Sequence, residues 1–507
     1  MKLGYKKGFL AFAALIVMSV TTESCRRQLD INTNPNSATQ VTPELLLPTA
    51  EVEIATALGV DVHTNGNFWA QYWTQNPSSS QYKDIEQYQP SGSDYDREWS
   101  QFYSALEDLK KMGEAATTAQ KPQYVAISKL LTAYTFQIVT DAWGDVPYRE
   151  ALAGELQSGQ ILSPHFDPQA LIYDSLISTV NQGLALINTS PTAPGRPGTD
   201  DLIFGGNMTN WRKFGNTLKL KLYMRLSEVE PAKAQAGIAA LVNGTTPFLD
   251  SNLNAQVNFV STSGNRNPLS TEIQALGFTP NQVASRTSID SLQANDDPRL
   301  AVFYEPAFDG ICNEKGFIGL RQGNYNAPAG TLVSLPGPTT GGNSDVSCTV
   351  SAVAARRAPV RLLMGYESLF LQAEAVARGW ASPGRTAESL FNSAVRGNFV
   401  HLGLTAADAN TYLASSYWGR YPTAGGVQQQ VRHIITQKWF SMTGIQGFEA
   451  WTEWRRTGYP DFFEISVTSL IGNRYPVRFL YPSTELTRNS NFPGQKQVYD
   501  RVYWDVR

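Results

Sequence analysis

The sequence predicts a mainly α-helical fold in one large domain, broken by a long irregular stretch with minor strands. Three observations predict it. Apolar residues recur at steps of three and four along most of the chain, the period of a helix with one buried face. Residues 244–358 are instead dense in Gly, Pro, Asn and Ser, and stretches of that kind form loops. No Gly-, Ser- or Pro-rich linker divides the 507 residues, although such a length allows about three domains.

The chain opens with Lys2, Lys6 and Lys7, runs apolar from Phe9 to Val20, then turns small and polar up to Cys25. That order is a secretory signal over residues 1–24. Its apolar run of 12 residues spans only about 18 Å as a helix, short of the roughly 30 Å hydrocarbon layer. A cysteine preceded by small Ser24 at the end of a signal points to a lipoprotein, with the Cys25 thiol carrying the lipid. Residues 25–42 are polar and broken by Asn32, Asn34, Pro35 and Asn36, and read as a flexible tether.

Residues 43–507 form the expected domain. The periodicity predicts helices over 43–59, 66–75, 94–116, 121–143, 168–188, 209–228, 231–242, 359–379, 384–402, 425–443 and 447–457. Between them, residues 244–358 hold short apolar runs such as Val257–Val260 and Leu300–Tyr304, expected as minor strands on a loop-rich, ligand-side face. The clearest helix pair is 366–402, where Tyr366, Leu369, Ala373, Ala377 and Trp380 line one stripe and Leu390, Phe391, Ala394 and Phe399 line another. Small residues facing large ones across antiparallel helices follow the packing logic of tetratricopeptide units, although their full pattern does not recur at a fixed period.

Three motifs are expected to be structural. In D-A-W-G-D-V-P-Y-R-E-A, from Asp141 to Ala151, Gly144 and Pro147 stop a helix and Trp143 buries against a neighbour. In Trp211–Arg225, Trp211, Phe214, Leu218, Leu222 and Arg225 form a core stripe, and Arg212, Lys213, Lys219 and Lys221 are expected on a solvated basic face. In Gln437–Pro460, Phe448, Trp451 and Arg455 share one face, and Arg455 and Arg456 sit in the last turn, where cations suit the helix dipole.

Net charge is -3 with a pI near 5.9, and no basic cluster follows the signal, so nucleic acid is not an expected partner. Charged residues make up 17% of the chain and aromatics 11%, against about 25% charged in an average domain. A surface of amides, hydroxyls and rings suits neutral polar ligands such as sugars. The histidines His63, His165, His401 and His433 are scattered, and neither H-E-x-x-H nor G-x-S-x-G occurs, so no catalytic residue, metal or cofactor is expected. A glycoside hydrolase needs only two carboxylates, but no motif selects a pair. With Cys25 acylated, Cys312 and Cys348 are an even pair in an oxidising compartment, either a disulfide or two free thiols.

Several segments together carry a family resemblance: L-D-I-N-T-N-P-N at Leu29–Asn36 after the lipidated cysteine, W-G-D-V-P-Y at Trp143–Tyr148, and N-D-D-P-R-L at Asn295–Leu300. Y-E-S-L-F-L-Q-A-E-A at Tyr366–Ala375, Q-K-W at Gln437–Trp439, G-F-E-A-W-T-E-W-R-R-T-G-Y-P at Gly447–Pro460 and R-F-L-Y-P at Arg478–Pro482 extend it along nearly the whole chain. The sequence resembles the SusD/RagB-like nutrient-binding lipoproteins of Gram-negative outer membranes. That resemblance implies tetratricopeptide-like helix pairs on one side and a loop-rich irregular face on the other. It implies a non-enzymatic, lipid-anchored outer-membrane protein facing the cell surface. Such a protein holds an oligosaccharide or a peptide as a lid on a SusC-like TonB-dependent transporter. Arg26 and Arg27 stand where surface-exported lipoproteins often carry acids.

The ligand site is expected among aromatics in the weakly periodic stretches. Trp73, Gln75, Asn76, Tyr82 and Tyr88 surround a Ser-rich break, and Gln322, Asn324 and Tyr325 lie in a Gly-rich loop. Flat rings stack on sugars while amides bond their hydroxyls. Ser78–Ser80 and Gly323 argue against deep burial of these rings on a helix.

Overall fold

The backbone of a helix can satisfy itself, so a chain with this periodicity builds its core from helix faces. The computed structural model describes residues 41–154, 160–310, 312–342 and 352–507, and Pro43–Arg507 form one compact unit. Helices of seven or more residues are labelled in chain order: α1 Pro43–Ala57, α2 His63–Trp69, α3 Asp96–Thr118, α4 Pro122–Trp143, α5 Gln169–Leu186, α6 Met208–Arg225 and α7 Pro231–Leu241. There follow α8 Pro268–Ala275, α9 Arg286–Gln293, α10 Gly365–Ala377, α11 Ala387–His401, α12 Ala406–Ser415, α13 Gly426–Met442 and α14 Gly447–Thr457. The fold is mainly α, as the periodicity predicts.

Neighbours in sequence pack as neighbours in space: α3 on α4, α4 on α5, α5 on α6, α6 on α7, then α10 on α11 and α11 on α12. These are the expected tetratricopeptide-like pairs. Their ends follow local chemistry. Pro122 and Pro231 open α4 and α7 at the first turn, where a missing N–H costs nothing. Asn207 accepts from the Thr209 and Asn210 amides at the start of α6, and Thr405 with Asp408 forms a capping box on α12.

The strands are short and paired two by two, all antiparallel. They are β1 Trp73–Gln75 with β5 Gln282–Ala284, β2 Val146–Pro147 with β3 Phe166–Asp167, and β4 Ala255–Val257 with β10 Val360–Leu363. β6 Tyr304–Glu305 pairs with β9 Leu335–Pro336, and β7 Phe308–Asp309 with β8 Asn313–Glu314.

Two helix expectations change. The helix expected over 66–75 ends at Trp69, and Trp73 lies on a strand; the helix expected from 359 begins at Gly365 because Val360–Leu363 pairs with β4. Short apolar runs fit either period, and pairing decides between them. Helix α1 also does not stop near 59. It passes through a π turn, Leu58–Val62, directly into α2. There α2 meets the start of α14 backbone to backbone: a Cβ on Gly66 would lie 2.2 Å from the Phe448 nitrogen, and one on Gly447 2.5 Å from the Asn67 nitrogen. Only glycine fits at either contact.

The helical core holds a buried ionic network that no sequence period foreshadows. Lys221, assigned above to a solvated face, is buried and pairs with Glu367 at 3.0 Å and Glu449 at 2.8 Å. Arg225 reaches Asp141 at 3.2 Å, Glu449 at 3.0 Å, and Glu453. Lys438 lies 3.4 Å from Glu449. Arg456 holds Glu374 and Glu453, each at 2.7 Å. Arg455 stacks over Trp451, 3.6 Å from the ring centroid, and donates to the Asp141 and Val477 carbonyls. Both terminal arginines of α14 are therefore interior groups with partners, and the helix-dipole account of them is secondary. A one-dimensional period places Lys221 outside, but α10 and α14 cover that side too. Trp143 is buried as expected, its indole donating to the Leu480 carbonyl at 2.9 Å.

Candidate ligand-binding face

Strand β1 and the turns after it, the loop 320–330 and the segment 464–470 come together at one end of the irregular side. Strand pairing starts the assembly: β1 runs against β5, and Ser285 bridges Leu320 in parallel. Gln322 then ties the first two segments. Its amide donates to the Phe68 carbonyl at 3.3 Å, the Trp73 carbonyl at 3.1 Å and Glu86 Oε1 at 2.7 Å. Gly323 sits at φ 78°, and a Cβ there would stand 2.0 Å from Ser466 Oγ, so the loop can pass only as glycine. The third segment closes over it, with the Val467 amide donating to the Gln322 carbonyl at 3.1 Å and Leu470 to the Gln87 carbonyl at 2.9 Å.

The two segments singled out in the sequence thus meet, but their rings are not on the surface. Trp73 is 0% exposed, Tyr82 6%, Tyr88 3% and Tyr325 7%. The inference against deep burial was wrong because it considered only burial on a helix; here strand, turn and loop bury the rings from several sides. Trp73 packs edge-on against His63, with centroids 5.3 Å apart, and Tyr82 against Phe68 at 5.4 Å. The Tyr88 hydroxyl accepts from the Ser466 amide at 3.1 Å. The Tyr325 hydroxyl accepts from Gln87 at 2.6 Å, and Lys83 lies over its ring at 5.2 Å.

The amides are framework groups as well. Gln75 donates to the Asn76 carbonyl at 2.9 Å and Ser79 Oγ at 2.6 Å, and Asn76 donates to the Pro280 carbonyl at 2.6 Å. Asn324 alone of the eight is not classed as buried; it is half-buried. What the sequence did not suggest is the rim: Glu464 receives Arg286 at 2.9 Å and Arg321 at 3.0 Å, and all three are solvent-accessible. The run after Pro460 has no period and no motif, so nothing flagged Glu464.

Beneath this face lies Glu86, fully buried. Burial pushes its carboxyl up to about 8, against hydrogen bonds from Thr74, Gln75 and Gln322 that favour the ionised form. A carboxyl raised on folding binds its proton more tightly in the native state, so its contribution is complete below the unfolded value of 4.5 and declines as pH rises towards 8. Glu86→Gln keeps an acceptor for the Gln75 and Gln322 donors and removes the charge. The variant is expected to gain stability relative to the wild type across that window and to be the more stable at pH 9. Denaturant titrations at pH 5, 7 and 9 check this; parallel profiles for the two proteins would contradict it.

The histidines serve packing. Burial lowers His63 and His433 to about 4 and His401 to about 3, so all three are neutral rings at physiological pH, while His165 is exposed beside Glu150 at 2.8 Å. Among the described residues no three of His, Cys, Asp and Glu group so as to hold a metal ion. Cys312 is disulfide-bonded; Cys25 and Cys348 lie outside the described residues. No helix among the described residues is long and apolar enough to cross a membrane.

Residues 35–482 match the family model for SusD-like proteins, described as "Starch-binding associating with outer membrane". The chain belongs to the SusD-like family. Its fold matches solved structures of the SusD-like family closely. A SusD homologue from Bacteroides uniformis superposes with a TM-score of 0.72 at 23% identity, over 91% of this chain and 99% of that one. A chitin-binding SusD homologue from Flavobacterium johnsoniae gives 0.72 at 21%, over 91% and 97%. A SusD homologue from Bacteroides fragilis gives 0.71 at 22%, over 92% and 99%. No curated protein sequence matches the chain. As a SusD-like protein it joins a family associated with the outer membrane, and the helix pairs with an irregular face are that family's architecture.

Proposed function

We propose that this chain is a lipid-anchored lid protein that binds an extracellular oligosaccharide and delivers it to a SusC-like TonB-dependent transporter, without turning the ligand over. The observation that carries this is the match over residues 35–482 to a family described as starch-binding and outer-membrane-associated. The chitin-binding relative from Flavobacterium johnsoniae supports a glycan in preference to a peptide. The ligand meets the irregular face where residues 73–88 and 321–326 join. Asn324 and the edge of Tyr325 are its contacts, and Trp73, Gln75, Asn76, Tyr82, Tyr88 and Gln322 are the frame beneath. Cys25 becomes the acylated N-terminus and holds the protein to the outer membrane on the cell surface. Cys312 pairs with Cys348, because an acylated Cys25 has no thiol to offer.

Mild detergent extraction from cells that express the neighbouring transporter is expected to recover the two proteins together. Cys25→Ser should shift the protein from the membrane to the soluble fraction in cells lacking the transporter. Recovery of the protein alone, or a Cys25→Ser variant that still partitions into the outer membrane without its partner, would contradict the proposal.

A further inference from the structure

Where the π turn after α1, strand β10 and the loop between α13 and α14 converge, the interior holds a cavity of about 40 Å³, room for roughly three waters. Apolar walls come from Leu58, Ile138, Leu362 and Phe448. One charged group on this wall differs from the network cations Lys221, Arg225, Lys438 and Arg456 and shares with Arg455 the lack of an acid in contact. Arg361 is 6% exposed, yet no carboxylate among the described residues pairs with it. Its Nε donates to His401 Nε2 at 3.0 Å and its Nη1 to the Thr339 carbonyl at 3.2 Å, both neutral acceptors, and Nη2 makes no hydrogen bond. His63 lines the same cavity, and its Nε2 is buried without a partner.

A guanidinium withdrawn from water without a counter-charge is a costly arrangement, whereas the nearby cations Lys221, Arg225, Lys438 and Arg456 all have acids in contact. Glu449 also lines the cavity, but its carboxylate is committed to Lys221, Arg225 and Lys438. Burial even draws the Arg361 guanidinium down to about 10, the shift of a cation that lacks an anion. An unused Nη2–H on a guanidinium and space for a few waters form a recognition set for negative charge.

We propose that this cavity is a binding site for a small monovalent anion, a halide or a carboxylate of one or two carbons, held by Arg361. The anion supplies the missing counter-charge where the loop-rich side is fastened to the helical core. The site lies apart from the proposed glycan face and does not depend on it.

Crystals of the mature protein soaked in sodium bromide test the placement, because bromide scatters anomalously. An anomalous peak within about 3.5 Å of the guanidinium, the reach of a hydrogen bond to a large anion, supports the proposal; its absence overturns it, however any variant behaves. Thermal melts at constant ionic strength, with gluconate exchanged for chloride, bromide, formate or acetate, test binding in solution. A saturable rise in Tm of roughly 1–3 °C is expected from ligand linkage, and it should vanish in Arg361→Met. A crystal peak with no anion-specific change in the wild-type Tm up to about 100 mM salt, where linkage would register any useful affinity, would mark an adventitious ion only and end the proposal.

Discussion

Replacing Arg456 by alanine is expected to lower the unfolding free energy by about 3–5 kcal/mol, the cost of breaking a buried ion pair from one side. Arg456 is fully buried and holds Glu374 and Glu453 at 2.7 Å each, with a further hydrogen bond to Ser227 Oγ at 2.8 Å. Its removal takes a cation from each of two buried acids, leaving Glu374 with Arg378 alone and Glu453 with Arg225 and the more distant Lys438. Those acids are held below the usual carboxylate range by their cation neighbours despite burial. The mechanism has a signature beyond the loss itself. Glu374→Ala alone should also cost several kcal/mol, about as much as any broken buried pair, while the double variant should cost much less than the sum. Urea titration of the two single variants and the double variant measures this. Additive losses, or an Arg456→Ala loss under about 1 kcal/mol, the scale of an exposed pair, would mean that the network contributes little.

Trp73→Ala is expected to cost about 3–5 kcal/mol, as for other large-to-small changes at buried aromatics. As a surface stacking platform the residue would have had almost no effect on folding. The structure reverses that expectation: Trp73 is fully enclosed, packs edge-on against His63, and its carbonyl accepts from Gln322. Losing the ring leaves a cavity under the very loop that ties the irregular face together. Tyr325→Ala, at the edge of the same face, should instead cost less in stability. Thermal melts of both variants compare them. A Trp73→Ala protein as stable as the wild type would show that the indole packs more loosely than the structure has it.

Long, strongly periodic segments were legible because each helix face reports its own burial. Helices α3 to α7, α11, α13 and α14 could be placed nearly to their ends; α10 starts six residues later than its period suggests because Val360–Leu363 is a strand, and α12, with its Thr405 capping box, was not read. The family, too, was legible, from several modest motifs spread along the chain. Lys221 and the α14 arginines were misread for a shared reason. A helical period predicts one buried face, and these helices are covered on more than one, so the charged positions find their partners on α4, α10 and α14. The candidate face was half legible. Residues 73–88 and 321–326 do meet, because Gln322 and Gly323 are shaped for that contact. The Tyr88 hydroxyl takes its partner from Ser466, and Val467 and Leu470 close over the junction, all from a segment with no local signal. Nor could any period show that Arg361 has no acid in contact among the described residues, since that is a property of its surroundings and not of its neighbours in sequence.

The proposed lid binds a nutrient glycan and leaves it intact. Incubating the purified mature protein with an oligosaccharide panel and a peptide pool, then measuring binding by calorimetry and new reducing ends in the same samples, tests it most directly. Saturable binding to one class of oligosaccharide is expected, with no rise in reducing ends over the protein-free control. Release of new reducing ends, or binding confined to the peptides, would contradict it.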